Sequence, residues 1–159
     1  MNNLRPMLDD IDLALVSRLE ADARTTNAEL GAAAGVAPST AHARVRGLQG
    51  RGVVSGYHAS IDQAELGRGL QAIIGVTLRP GSRQESITAF AQNVRRLPQV
   101  IQTFFVGGAD DFLVHVAVED SSALRAMVVD HISGQPSVAS TRTSVIFAYQ
   151  RNAVVAEFD

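Results

Sequence analysis

Near the start of the chain, apolar residues recur at helical spacing: Ile11, Leu15 and Leu19 at i, i+4 and i+8, with Ala14 between them. This stripe predicts an amphipathic helix over 9–22. Asp9, Asp10 and Asp12 fall in its first turn, where the helix dipole favours negative charge. Thr26 and Glu29 have capping-box spacing, so a second helix starts there and runs to about Ala34, where Gly35 supplies a left-handed ending. Pro38 suits the first position of a third helix. In that helix Ala41, Val45 and Leu48 face inward, leaving Ser39, Thr40, His42, Ala43 and Arg46 outside. The small residues Ala32, Ala33, Ala34 and Gly35 are expected to let the second and third helices cross closely. Gly50 and Gly52 end the third helix, and 53–61 reads as a strand. Three helices, a glycine-containing turn and a trailing strand make a winged helix-turn-helix.

The second half has another rhythm. Residues 70–79 are β-rich and stop at Pro80-Gly81, Ser82 and Glu85 have capping-box spacing, and Ile87, Phe90, Ala91, Val94 and Leu97 mark a helix face. A strand over 100–106 leads into a hairpin turn, Gly107-Gly108-Ala109-Asp110, and Phe112, Val114, Val116 and Val118 alternate along the next strand. Leu124, Met127, Val128 and His131 mark the core-facing stripe of a second helix, closed by Gly134 and Pro136. A last strand covers 138–149, with Val145, Phe147 and Tyr149 on one face. The order β-α-β-β-α-β is ferredoxin-like, so the fold class is α+β. Both helices cover one face of the sheet. The other face is not polar, because Val100, Phe104 and Val106 oppose Ile101 and Phe105 on one strand, whereas a half-exposed sheet alternates. A second copy of the chain is therefore expected to cover it as a two-fold dimer. The expected division is a helix-turn-helix domain at 1–61, a linker at 62–69 centred on Leu66-Gly67-Arg68-Gly69, and a sensing and oligomerisation domain at 70–159.

Composition narrows the function. The 159 residues are 46% hydrophobic and contain no cysteine, which excludes disulfides, thiolate metal sites and a cysteine nucleophile. No apolar run approaches the roughly 20 residues a membrane helix needs, and no secretory signal opens the chain, so a cytoplasmic protein without membrane contact is expected. The net charge is −2, yet no acid occurs between Leu30 and Ile61, where Arg44, Arg46, Arg51, His42 and His58 lie. Such a basic stretch is a candidate footprint for phosphate. Paired carboxylates at catalytic spacing, a Ser/His/Asp arrangement, a phosphate loop and a metal-ligand cluster are all missing. Neither enzyme activity, cofactor nor metal is expected, and His58, His115 and His131 read as structural.

Several segments, taken in order, resemble the leucine-responsive/asparagine-regulator (Lrp/AsnC, feast/famine) family of prokaryotic transcription regulators. Leu8-Asp9-Asp10-Ile11-Asp12 and Ala23-Arg24 look like its first helix and exit. Glu29-Leu30-Gly31-Ala32-Ala33-Ala34-Gly35-Val36 is similar to its second helix and turn. The most specific piece is Arg44-Val45-Arg46-Gly47-Leu48 followed by Gly52-Val53-Val54-Ser55-Gly56-Tyr57. The likeness runs from Leu8 to about Phe158. It implies a dimer built through the C-terminal sheets, further assembly to octamers around which DNA bends, and an amino-acid effector near the hairpin that here reads Gly107-Gly108-Ala109-Asp110-Asp111-Phe112. This chain departs from the family pattern at four places. Ala37 replaces a capping serine, so that Ser39 is an alternative cap starting the helix a turn later. Gly47 and Gln49 replace an arginine and an acid, and Asp110 replaces an aromatic.

With the third helix in a major groove, Ser39, Thr40, His42 and Ala43 are placed for base edges or groove walls, and Arg46 and Arg51 for phosphate. Arg44 reaches either a phosphate or an acid such as Asp12 or Glu29. In the hairpin, backbone N–H groups of Gly107, Gly108 and Ala109 can approach a carboxylate, with Asp110 beside them and Asp111 paired to an ammonium group. The residues alone favour a plain tight hairpin, and it is the family resemblance that points to an effector there. The reading is a sequence-specific DNA-binding regulator responding to a small molecule. Its alternatives are a siroheme-decarboxylase-like enzyme on the same architecture, and an amino-acid-binding oligomer that has lost DNA binding.

Overall fold

The computed structural model describes residues 8–81 and 83–148, which form two compact units dividing between Ser60 and Ile61. The first unit holds α1 (Asp10–Ala21), α2 (Asn27–Ala34) and α3 (Pro38–Gly50). Asp9 caps α1 by accepting the Asp12 amide, and Thr26 and Glu29 close a reciprocal capping box on α2. Gly35 ends α2 at φ 67°. The core is Leu15, Leu19, Leu30, Ala41, Val45 and Leu48. The close crossing of α2 and α3 falls at Gly31 rather than at 32–35, where Ala32, Ala33 and Gly35 are exposed. A Cβ on Gly31 would lie 2.6 Å from the Val36 carbonyl oxygen. The helix α3 starts at Pro38 with Ala37 as an N-cap that makes no side-chain bond, so Ser39 does not start it later. Pro38 has no amide hydrogen to satisfy, and Ala41 N–H already donates to the Ala37 carbonyl at 3.0 Å.

The expected wing strand does not form: 53–61 holds no ladder among the described residues. A strand needs a partner for its backbone groups, and this segment instead turns back on the end of α3, with Val53 and Val54 N–H both donating to Leu48 O.

The second unit is a four-stranded antiparallel sheet of β1 (Leu70–Leu78), β2 (Val100–Phe105), β3 (Phe112–Val118) and β4 (Val138–Ile146), in the order β2-β3-β1-β4. Two helices, α4 (Arg83–Val94) and α5 (Ser121–Met127), pack Phe90, Val94, Leu124 and Met127 on one face, against Ala72, Ile74, Val76, Phe112, Val114 and Val116. Ser82 of the expected capping box lies outside the described residues. The last helix continues past α5 as a π-helical turn, Val128–Ser133. That extra residue per turn brings Ile132 into the core and leaves His131 exposed, contrary to the stripe expected from α-helical spacing. Strand β4 ends at Ile146, so Phe147 lies beyond it, 97% exposed, and Tyr149 is outside the described residues.

The uncovered face mixes apolar and polar residues on its central and edge strands alike. A bulge at Ile101 changes which residues reach it: Val100 pairs with Val116, but Gln102 pairs with His115 and Phe104 with Leu113. One extra residue moves every later side chain to the opposite face, so Phe104 and Val100 part company. Phe105 falls on the core side and meets the Phe112 ring at 5.2 Å. Phe104, Leu113, Ile73 and Ile146 populate the open face beside Gln71, His115 and Arg142.

Candidate functional site

The outer side of α3 is open along its length. Ser39, Thr40, His42, Ala43 and Arg46 are exposed while Ala41, Val45 and Leu48 are buried, because the inward residues recur at the helical period. The His42 Nδ1 lies 3.3 Å from the Asn27 side-chain nitrogen, which ties the imidazole to the first residue of α2. Arg46 makes no ion pair among the described residues.

Arg44 and Arg51 sit differently. Arg44 Nη1 donates to Asp9 Oδ2 at 2.5 Å and to Asp12 Oδ1 at 3.3 Å, so the acids it meets within the chain are Asp9 and Asp12 and not Glu29. Arg51, expected at phosphate, donates through Nη2 to Asp12 Oδ2 at 2.8 Å. The Asp12 side chain is only 4% exposed. Its place in the helix pattern marks it as a first-turn acid, and nothing in that local pattern shows that two arginines more than 30 residues away converge on it. The hydrogen bond from the Asp12 backbone, then the Arg44 guanidinium, hold the Asp9 carboxyl below its ordinary value. The same acids raise Arg44 above its own. These residues line an open hollow of about 440 Å³ with Thr40, Ala43 and Gly47.

In the second unit the turn between β2 and β3 is a four-residue loop, 107–110, closed by Val106 N–H donating to Asp111 O at 2.9 Å. Gly108 has φ 140°, a backbone conformation that favours glycine. Gly107, Gly108 and Ala109 are exposed. Asp111 does not present an exposed carboxylate for an ammonium group: it is buried, and its Oδ2 accepts the Leu78 N–H at 2.7 Å. The carboxylate turned to the open sheet face is that of Asp110, which accepts from Arg142 Nη2 at 2.6 Å. Gly75 makes room for it, since a Cβ there would lie 2.8 Å from Asp110 Oδ2. On the same face His115 meets Gln71 Oε1 at 2.9 Å, and burial lowers its pKa.

An AsnC-type helix-turn-helix domain model matches residues 8–49, and an Lrp/AsnC ligand binding domain model matches 71–151. The chain is 44% identical over 146 residues to the HTH-type transcriptional regulator AldR of Mycolicibacterium smegmatis, covering 92% of this chain and 85% of that one. It is 31% identical over 139 residues to the leucine-responsive regulatory protein of Escherichia coli, covering 87% and 84%. Among solved structures, MtbAldR superposes with a TM-score of 0.75 at 38% identity, over 91% of this chain and 97% of that one. A Neisseria meningitidis transcriptional regulator in complex with L-Met superposes with a TM-score of 0.84 at 27% identity, over 92% and 94%.

Proposed function

This chain belongs to the Lrp/AsnC family of transcription regulators, and from that premise we propose how its two units divide the work. It is a DNA-binding regulator with a ligand-binding domain and not an enzyme, as its relatives are; they give no support to the decarboxylase reading or to an oligomer blind to DNA. Among the described residues no helix is long and apolar enough to cross a membrane, and we place the protein's work on DNA in the cytoplasm.

In our reading α3 enters the major groove with Ser39, Thr40, His42 and Ala43 toward base edges and Arg46 toward a phosphate. The observation that carries it is the exposed row on α3 set against a fully buried Ala41 and Leu48. A gel shift on the chain's own upstream region, with excess random duplex, tests it. A complex that survives the competitor is expected, and none at all would refute it.

The second unit takes an amino acid or similar small molecule at the 107–110 loop, with amides of Gly107, Gly108 and Ala109 toward its carboxylate. Asp110 takes the ammonium-facing role in place of Asp111, whose carboxylate is buried. Support comes from the loop's exposed glycines and from a related regulator solved with L-Met. Calorimetry across the standard amino acids tests this, and absence of heat with all of them would reduce the loop to a turn. A second copy covers the open sheet face, and dimers assemble further toward an octamer. The effector acts by favouring one assembly over another.

A further inference from the structure

We propose that the hollow between α1 and α3 is a seat for one backbone phosphate of duplex DNA, with Arg44 and Arg51 as its ligands and Asp12 as the residue positioning both. This rests on the DNA-binding reading above and adds a site to it.

The seat lies where a phosphate would be. Thr40, Ala43, Arg44, Gly47 and Arg51 fall at i, i+3, i+4, i+7 and i+11, a single stripe on the α1 side of α3. The most outward row is Ser39, Ala43 and Arg46, so the stripe borders it at Ala43 and its other four residues form the flank. A helix lying in a major groove turns its outermost row to the bases and its flanks to the sugar-phosphate walls.

The chemistry is that of an oxyanion site. Asp12, almost wholly buried, binds Arg44 through Nη1 and Arg51 through Nη2. Arg44 Nη2 and Arg51 Nη1 make no hydrogen bond among the described residues. A guanidinium presents its donors in a rigid plane, so a carboxylate gripping one edge fixes where the remaining donors point. The ordering cost of two long side chains is then met on folding rather than on binding. Thr40 adds a hydroxyl to the lining, and the floor is left open at Gly47, where an added Cβ would meet nothing within 4 Å.

One group opposes occupancy. Asp9, half exposed, takes Arg44 Nη1 and is the resident anion with which a phosphate competes. With Asp9 in place, the four charges Asp9, Asp12, Arg44 and Arg51 cancel.

Two substitutions move binding in opposite directions. Gly47→Leu fills the floor at a position with free space, and Asp9→Asn removes the competing charge while keeping a residue that caps a helix as well as aspartate does. Affinity of the full chain is read by fluorescence anisotropy for a duplex selected from a randomised pool and for a random duplex, across a salt series. Inorganic phosphate is titrated separately by calorimetry, and thermal unfolding verifies that each variant is folded. Gly47→Leu is expected to weaken both duplexes by the same factor and to lower the magnitude of the salt slope by about 0.9, the signature of one lost phosphate. Asp9→Asn is expected to strengthen both. Wild-type affinity and slope in folded Gly47→Leu, or no gain in Asp9→Asn, overturns the seat while leaving DNA binding intact. Inorganic phosphate binding that Gly47→Leu abolishes, with duplex binding unchanged, assigns the hollow to a free anion and overturns its role on DNA. A wild type that binds neither duplex overturns the underlying reading and the seat together.

Discussion

At Gly31 the second and third helices touch backbone to backbone. A methyl group there would lie 2.6 Å from Val36 O and 3.2 Å from Pro38 N, both main-chain atoms that can yield only by moving the turn. Gly31→Ala is expected to destabilise the first unit by about 1–3 kcal/mol, the usual cost of overpacking, read from urea unfolding. Charged residues set an acid limit on the same unit. Hydrogen bonds from the Asp12 and Thr26 backbones, the largest causes, hold the Asp9 and Glu29 carboxyls below their ordinary values of 3.8 and 4.5. The unfolded chain therefore binds protons more readily than the folded one. The stability these groups confer is complete above their ordinary values and is lost as pH falls through the lower native ones. Thermal melts between neutral pH and pH 3 are expected to fall on the acid side, less steeply in Glu29→Gln. Much of this was readable in advance. Thr26 and Glu29 carry their capping role in local spacing, and so do the buried Ala41, Val45 and Leu48. Of the Asp12 network only the Arg44–Asp12 pairing stood among the sequence alternatives; that Arg51 and Asp9 join it was not readable, because it links residues distant in the chain, and neither was Gly31, whose role depends on what lies opposite.

Among the elements, the helices and strands follow periodicity, and the departures come where one residue is inserted. The bulge at Ile101 and the π-helical turn Val128–Ser133 each shift the phase of everything after them. Alternation alone therefore put Phe104 with Val100, and helical spacing put His131 inward. The segment 53–61 has the composition of a strand but no ladder among the described residues, since strand propensity does not supply a partner. The 107–110 loop shows how an element's end is held. Asp111 anchors it to β1 twice, by its backbone N–H donating to Val76 O and by its carboxylate accepting Leu78 N–H. Asp111→Ala strips a buried amide of its acceptor and is expected to cost about 1–3 kcal/mol of stability in urea unfolding. An amino-acid affinity that fell with no loss of stability would point instead to direct contact with the effector.

On the scale of the whole molecule, the open sheet face carries no covering layer among the described residues. Phe104 is 47% exposed there, beside Leu113, Ile73 and Ile146. Light scattering at low micromolar concentration is expected to give a dimer or larger assembly, and a clean monomer would refute the covered face. His115 lies on that face beside Gln71, and burial lowers its pKa. A lowered histidine favours the neutral form, so the folding stability is expected to be complete with respect to this group above the ordinary value of 6.5 and to fall as pH drops below it, read from thermal melts.

The central claim is that the exposed row of α3 meets duplex DNA, and Arg46 tests it most directly. The measurement is the affinity of wild type and Arg46→Ala for a selected and a random duplex between about 50 and 200 mM salt. The account predicts selective binding by wild type, and a variant weakened equally on both duplexes with a slope smaller in magnitude by about 0.9. Identical affinities and slopes for the two proteins would contradict it.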